Sequence, residues 1–357
     1  MLRAIICVAV GILVAPTSWA TPTTPISLLV DASDGAHRLL HSVLTIPVHP
    51  GPLTLMYPRW AIPTYEAPNT IVDDIVDLRF SGNGKRIEWS RNPVNMFSFR
   101  LTIPKDVSAL TVTMDVVAAP QRTDFNATTG QLVTLDWNTM LLYPKGAVAN
   151  GVRVRPKLRL PAGWKQACAL RASVLENGDL EYPTTTLATL IDSPVLAGKY
   201  FSTTRIKSDS ANPVFVDIAA DSAEAVALSE RWQEWVRRVV EEATALFGGV
   251  PYKHYDFQVA LSAEVGNDGV EHRQSSDIRM ATRGLIDDAN RLAYGYLIPH
   301  EYLHSWNGKF RIPAGVCVIR AMSVHDFTAC RSSISRDAGQ GFHGMSVQHF
   351  MACRSSS

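Results

Sequence analysis

"FSFRLTIPKDVSALTVTMDVV", residues 97–117, sets the character of the first half of the chain. Phe97, Phe99, Leu101 and Ile103 alternate with Ser98, Arg100 and Thr102. After the break at Pro104-Lys105-Asp106, Leu110, Val112, Met114 and Val116 alternate with Thr111, Thr113 and Asp115. Successive side chains of an extended strand point to opposite faces, so a period of two buries one face and leaves the other wet. The habit runs from about residue 36 to 165, where Val152, Val154, Leu158 and Leu160 continue it. Turn formers punctuate it at Pro50-Gly51, Ser81-Gly82-Asn83-Gly84 and Pro144-Lys145-Gly146. Many short strands separated by turns predict a β-sandwich. By itself such a domain is a scaffold or a binding surface.

Upstream, "MLRAIICVAVGILVAPTSWA" has one early arginine, an apolar run from Ala4 to Val14, and Ser18-Trp19-Ala20. This is the layout of a secretory signal peptide, with cleavage expected after Ala20. The apolar run is well under the ~20 residues that a bilayer requires of a helix, so no stable membrane insertion is expected after cleavage. Export to the periplasm or the medium follows from this reading. The 357 residues carry a net charge of +1, which gives no electrostatic reason to expect nucleic acid or an anionic membrane as a partner. Cys168 stands alone in the body of the chain, while Cys317, Cys330 and Cys353 crowd the end. No spacing suggests a disulfide framework or a CxxC zinc knuckle.

Downstream, the pattern changes near residues 195–220. Asp221 is a candidate helix cap with Glu224 as its capping-box partner. Leu228, Trp232, Trp235, Val236, Val239, Ala243 and Leu246 then recur at helical spacing as a core stripe, and Gly248-Gly249 ends the run. A strand carrying Phe257, Val259 and Leu261, a turn at Gly266-Asn267-Asp268-Gly269 and a second strand opening "VEHRQSS" follow. Helical structure is expected from about Asp288.

That helical region holds "PHEYLHSW", residues 299–306. Positions i and i+4 share a helix face, so His300 and His304 can hold one metal ion. Glu301 lies one step round, outside the first shell but close enough to take a proton from an attacking water. This H-E-x-x-H spacing is the zinc-peptidase signature, and Zn2+ is the expected cofactor. Pro299 removes a helix donor, which is tolerable where a helix begins. A catalytic zinc site needs a third protein ligand. His272 is read as structural, as are His37, His41, His49 and His254.

The segment "IPHEYLHSWNGKFRIPAG" resembles the metal-binding segment of the glycyl aminopeptidase family, a branch of the gluzincin metallopeptidases. "YPRWAIPTYEAP" (57–68), "NPVNMFSFRLTIP" (92–104), "LDWNTMLLYPKG" (135–146) and "GVEHRQSS" (269–276) resemble it too. The resemblance runs from about residue 30 to Gly315. It implies an α+β multidomain protein, with an N-terminal β-sandwich followed by the first part of a thermolysin-like α+β metallopeptidase domain. It implies aminopeptidase activity on N-terminal glycine or alanine and a peptide substrate with a free N-terminus. By position it makes His300 and His304 the zinc ligands and Glu301 the catalytic base. Glu271 would hold the substrate α-amino group, with Gly269 and Val270 backbone groups lying along the substrate.

In that family the third ligand is a glutamate some tens of residues after the second histidine, whereas this sequence has no glutamate after Glu301. The last 43 residues contain no Leu, Lys, Glu, Trp, Tyr, Asn or Pro, and "MSVHDFTACRSS" (322–333) returns as "MSVQHFMACRSS" (345–356). A two-copy repeat lacking the commonest core residues buries little surface. The expected organisation is a signal peptide at 1–20, a β-domain at 21–195, a partial catalytic domain at 196–314 and an aberrant tail at 315–357. On this reading the site is impaired for want of its third ligand. The alternative is a catalytically inactive remnant whose β-domain at most binds peptides.

Overall fold

The structure, a computed structural model, describes residues 24–59, 71–118, 126–207, 211–287, 290 and 293–311. The signal segment 1–20, the tail 315–357 and the expected helix start at Asp288 lie outside the described residues.

The described chain is mostly β-sheet with few helices, as the alternation predicts. The largest sheet has nine strands. Its order is Ser173–Val174, Leu180–Glu181, Arg153–Arg159, Ile26–Asp31, Leu39–Pro47, Ala109–Val117, Ile75–Gly82 and Lys85–Arg86, with Thr185–Thr186 also pairing to Arg153–Arg159. A four-stranded sheet runs Tyr143–Pro144, Gly51–Met56, Ser98–Ile103 and Trp89–Arg91. Another runs Lys165–Cys168, Val195–Gly198, Leu132–Leu135 and Ala127–Thr128. In Ser98–Ile103, Phe99, Leu101 and Ile103 are buried while Arg100 and Thr102 are exposed. In Ala109–Val117, Leu110, Val112, Met114 and Val116 are buried. Ser98 departs from the pattern and is buried as well. The inward residues of all three sheets meet in one apolar cluster that includes Leu28, Leu44, Val112, Leu55, Phe99, Leu135 and Trp137. Fully burying one such aliphatic or Phe side chain contributes about 1.5–3 kcal/mol. The core is therefore what holds the layers together. A short helix, α1 (Leu187–Ile191), caps one side, and the Thr186 side chain accepts a hydrogen bond from the Thr189 N–H at its start.

A five-stranded sheet follows, ordered Tyr200–Lys207, Val214–Ala220, Tyr255–Leu261, Ser275–Met280 and Asp268–Glu271. Val214–Ala220 and Tyr255–Leu261 are parallel. The helix α2 (Glu230–Phe247) makes the crossover between them. Its N-cap is Ser229, whose side chain accepts from the Trp232 N–H, so the cap expected at Asp221 is corrected. Asp221 instead accepts a hydrogen bond from the Thr129 hydroxyl at 2.9 Å, across to the first half of the chain. Trp232, Val236, Val240 and Ala243 form the buried stripe, whereas Leu246 is exposed. Gly248 ends the helix in the left-handed region at φ 71°, where a Cβ would be strained.

The five-stranded sheet meets the first half of the chain through small side chains. Ala219, Ala260 and Val265 pack on Ala127, Leu132 and Leu196. Polar groups flank this thin seam. Gln258 Nε2 donates to the carbonyls of Ala167 and Pro194 at 3.3 and 3.2 Å. Arg171 Nη2 reaches Asp256 Oδ1 at 2.9 Å.

Candidate metal centre

The short helix α3 (Leu297–Leu303) presents the motif, with His304 as its C-cap. Pro299 is its third residue. The first N–H groups of any helix lack intrahelical acceptors, so the missing donor costs nothing here. The first regular bond follows at once, from His300 N to Tyr296 O at 3.1 Å. The buried face is aromatic. The Tyr302 ring packs at 4.9 Å from Tyr255, 5.3 Å from Phe257 and 5.1 Å from Trp306. Trp306 stacks on Phe247 of α2, and its Nε1 donates to the Gly249 carbonyl at 2.9 Å. The helix is thus fixed by large rings on one side, and the histidines are left on the other.

His300 Nε2 and His304 Nε2 stand 3.2 Å apart. Two imidazole nitrogens bound tetrahedrally to zinc at about 2.0–2.1 Å are separated by roughly 3.3 Å. His304 Nδ1 lies 2.9 Å from the Asn307 carbonyl. A carbonyl only accepts, so Nδ1 carries the proton and Nε2 presents its lone pair, the tautomer a metal requires. His300, Glu301 and His304 form the group of three potential ligands found among the described residues, with ligand atoms within 4.8 Å of one another. On the distance and the tautomer together, the residues present fit a zinc ion.

Glu301 is 3% exposed, and its Oε1 lies 4.0 Å from His300 Nε2. Burial, reinforced by the carboxylates of Glu271, Asp268 and Asp277 and opposed by Lys309, pushes its carboxyl up to about 9. A dication beside it would act in the opposite direction. The strand Asp268–Glu271 lies at the edge of the five-stranded sheet, hydrogen-bonded on one side to Ser275–Met280. It packs against α3. Glycine at 269 is required by that approach: a Cβ there would come within 2.6 Å of Glu301 Cδ and 2.7 Å of Cγ. Gly269→Ala should therefore lower stability by about 1–3 kcal/mol, as overpacking does, and displace Glu301. A thermal melt beside the parent chain checks this, and an unchanged midpoint would refute the contact. Glu271 and Val270 are both buried on the same strand. The structure thus brings together all six residues singled out in the sequence: His300, Glu301, His304, Gly269, Val270 and Glu271.

Among the described residues, three further histidines have partners of their own or pack beside the site. His41 Nδ1 lies 2.7 Å from Asp115 Oδ1, and His254 Nε2 lies 3.1 Å from the Ala169 carbonyl. His272, next to Glu271, is 1% exposed with its Nδ1 3.5 Å from Asp192. Asp192 and Lys309 had no motif to single them out, yet their side chains lie 3.5 Å apart beside this imidazole.

Residues 27–199 match the family described as the peptidase M61 N-terminal domain, which supports a peptidase-family protein. No curated protein matches the chain. The crystal structure of an aminopeptidase N family protein from Idiomarina loihiensis is similar, with a TM-score of 0.68 at 20% identity over 82% of this chain and 49% of that one. That likeness shows a shared fold, and this chain spans about half the length of that structure.

Proposed function

We propose that the chain is an exported zinc-dependent metallopeptidase of the aminopeptidase type, related to the glycyl aminopeptidases, that removes small N-terminal residues, Gly or Ala, from peptides. The observation that carries this reading is the 3.2 Å separation of His300 Nε2 and His304 Nε2, with the His304 tautomer set by Asn307. The signal-like segment Met1–Ala20 supports export. On this reading, residues 196–314 are the first part of a thermolysin-like catalytic domain.

Zinc bound there would polarise the scissile carbonyl and make water more acidic. Glu301 is placed to accept the proton of the attacking water and to pass it to the departing amine. Its burial keeps bulk water from competing for that proton. The strand Asp268–Glu271, at the edge of the described sheet, offers backbone groups at Gly269 and Val270 along which an extended peptide can pair as an added strand. Glu271, 6% exposed, supplies the carboxylate that an incoming α-ammonium needs in a partly dry cleft. A substrate blocked at its N-terminus cannot make that pair.

Among the described residues, two imidazoles and the flanking carboxylate are fewer protein ligands than a catalytic zinc with a separate base normally has, so weak binding is expected. Competition with a chromogenic chelator should give one weakly held zinc per chain, lost in His300→Ala. Turnover of alanyl and glycyl arylamides should be low and fall at least a further hundredfold in Glu301→Gln with zinc retained. Unchanged zinc binding in His300→Ala, or unchanged turnover in Glu301→Gln, would refute the reading. Zinc binding without any turnover would favour the peptide-binding remnant.

A further inference from the structure

We propose that Asp192 is a positioning residue of the metal centre: one carboxylate ties the strand that carries Glu271 and the turn that follows His304 to the end of α1. The inference rests on the reading of His300 and His304 as metal ligands. Asp192 is the C-cap of α1. Its Oδ1 lies 3.5 Å from His272 Nδ1 and 3.5 Å from Lys309 Nζ, and its Oδ2 accepts the Arg273 N–H at 3.2 Å. His272 and Lys309 are almost wholly buried, at 1% and 5% exposure.

Burying an ammonium is costly unless a carboxylate meets it, so Lys309 is held where Asp192 is, while the backbone after His272 is held by the Arg273 N–H bond to the same carboxylate. Burial alone would raise the Asp192 carboxyl, yet His272, Lys309 and the Arg273 N–H together hold it below its ordinary value. The charged carboxylate is thus the form this cluster favours.

Both arms lead directly into the site. His272 follows Glu271 in the chain, and its N–H donates to the Ser275 carbonyl at 3.0 Å, which closes the hairpin bearing the Gly269–Glu271 edge. Lys309 N–H donates to the His304 carbonyl at 3.1 Å. Between them, Asn307 supplies the carbonyl that orients the His304 ring. Fixing the Lys309 ammonium therefore fixes the loop that sets the tautomer and direction of a metal ligand. Outer partners of metal ligands commonly govern affinity by about 10–100-fold.

The test uses the full chain and the near-isosteric Asp192→Asn, with Lys309→Met and the double variant. Zinc affinity is read by chelator competition, and local opening of the metal-free chain by amide hydrogen exchange. Asp192→Asn should weaken zinc at least tenfold and speed exchange in both 269–273 and 304–311. Amides of the sheets outside 268–273 should be unmoved, and the double variant should be no worse than Asp192→Asn alone. Unchanged exchange in either segment, acceleration across the whole molecule, or additive losses in the double variant would overturn the proposal. If the parent chain binds no zinc, the metal reading fails and the exchange result alone decides the role of Asp192.

Discussion

Replacing Asp256 with asparagine is expected to favour the folded chain increasingly as pH rises. Between pH 4 and pH 8 the stability difference from the parent should move by on the order of 3 kcal/mol. Asp256 has no exposed surface, and burial pushes its carboxyl up to about 7. Arg171 opposes this, and Asp217 on the neighbouring strand adds to it. Asp217 is itself pushed up to about 6 by burial, with the Thr203 hydroxyl and Arg171 opposing. His254 stands 3.5 Å from Asp256 Oδ2, but burial, then Arg171, lowers its own pKa, so it brings little positive charge at neutral pH. One half-exposed guanidinium thus serves two buried acids. A carboxyl whose folded pKa lies above its unfolded value contributes stability below the unfolded value and loses it as pH rises through the folded one. The window is therefore about pH 4 to 7. Asparagine keeps the shape and removes the ionisation. Denaturant midpoints of parent and variant at pH 4, 6 and 8 measure the effect; a constant difference would show that Asp256 ionises as freely in the folded chain as in the unfolded one.

Trp137→Ala should lower stability by about 3–5 kcal/mol, enough to unfold much of a marginal domain at physiological temperature. Trp137 is wholly buried and meets Tyr182 edge to face at 5.5 Å. Its Nε1 donates to the Ser193 carbonyl at 2.9 Å. Truncation leaves a cavity where the sheets of the first half converge and removes a donor that Cys168 Sγ, at 3.3 Å, would still partly replace. Trp137→Phe keeps most of the volume and should recover more than half of the loss. Equal destabilisation by both variants would place the cost in the hydrogen bond instead of the packing.

What the sequence could tell depended on how far apart the partners are in the chain. Alternation around Phe99 and Val112 is local, so those strands and their buried faces were legible. The order in which nine strands join one sheet was not, because pairing such as Ile26 with Val154 leaves no periodic trace. Gly248 announced the end of α2 through its backbone freedom, but the capping pattern at Asp221 and Glu224 did not mark its start. Asp221 was taken by Thr129 from the other half of the chain, and the helix began eight residues later at Ser229. In the site, His300, Glu301 and His304 share one helix and declared themselves by spacing. The six residues proposed from motif and resemblance do converge in space. Asp192, His272 and Lys309 are brought together from three separate segments, and no regular interval could have exposed them.

The parallel pairing of Ile26–Asp31 with Arg153–Arg159 also has a temporal side. The first strand of the described chain lies in the interior of its sheet, with Leu39–Pro47 on one flank and Arg153–Arg159 on the other. During synthesis the first flank is covered as soon as residue 47 is available, but the second waits for residue 159. At about 5–20 residues per second, those 112 further residues take roughly 6–22 s. For that interval Ile26–Asp31 offers a row of unpaired backbone groups next to Leu28 and Val30, the kind of open edge at which chains stick to one another. Closure then demands a long-range contact, which makes this step slow relative to hairpin formation. The nascent chain is thus expected to be most prone to aggregate before Arg159 is made, well before any residue of the metal motif exists.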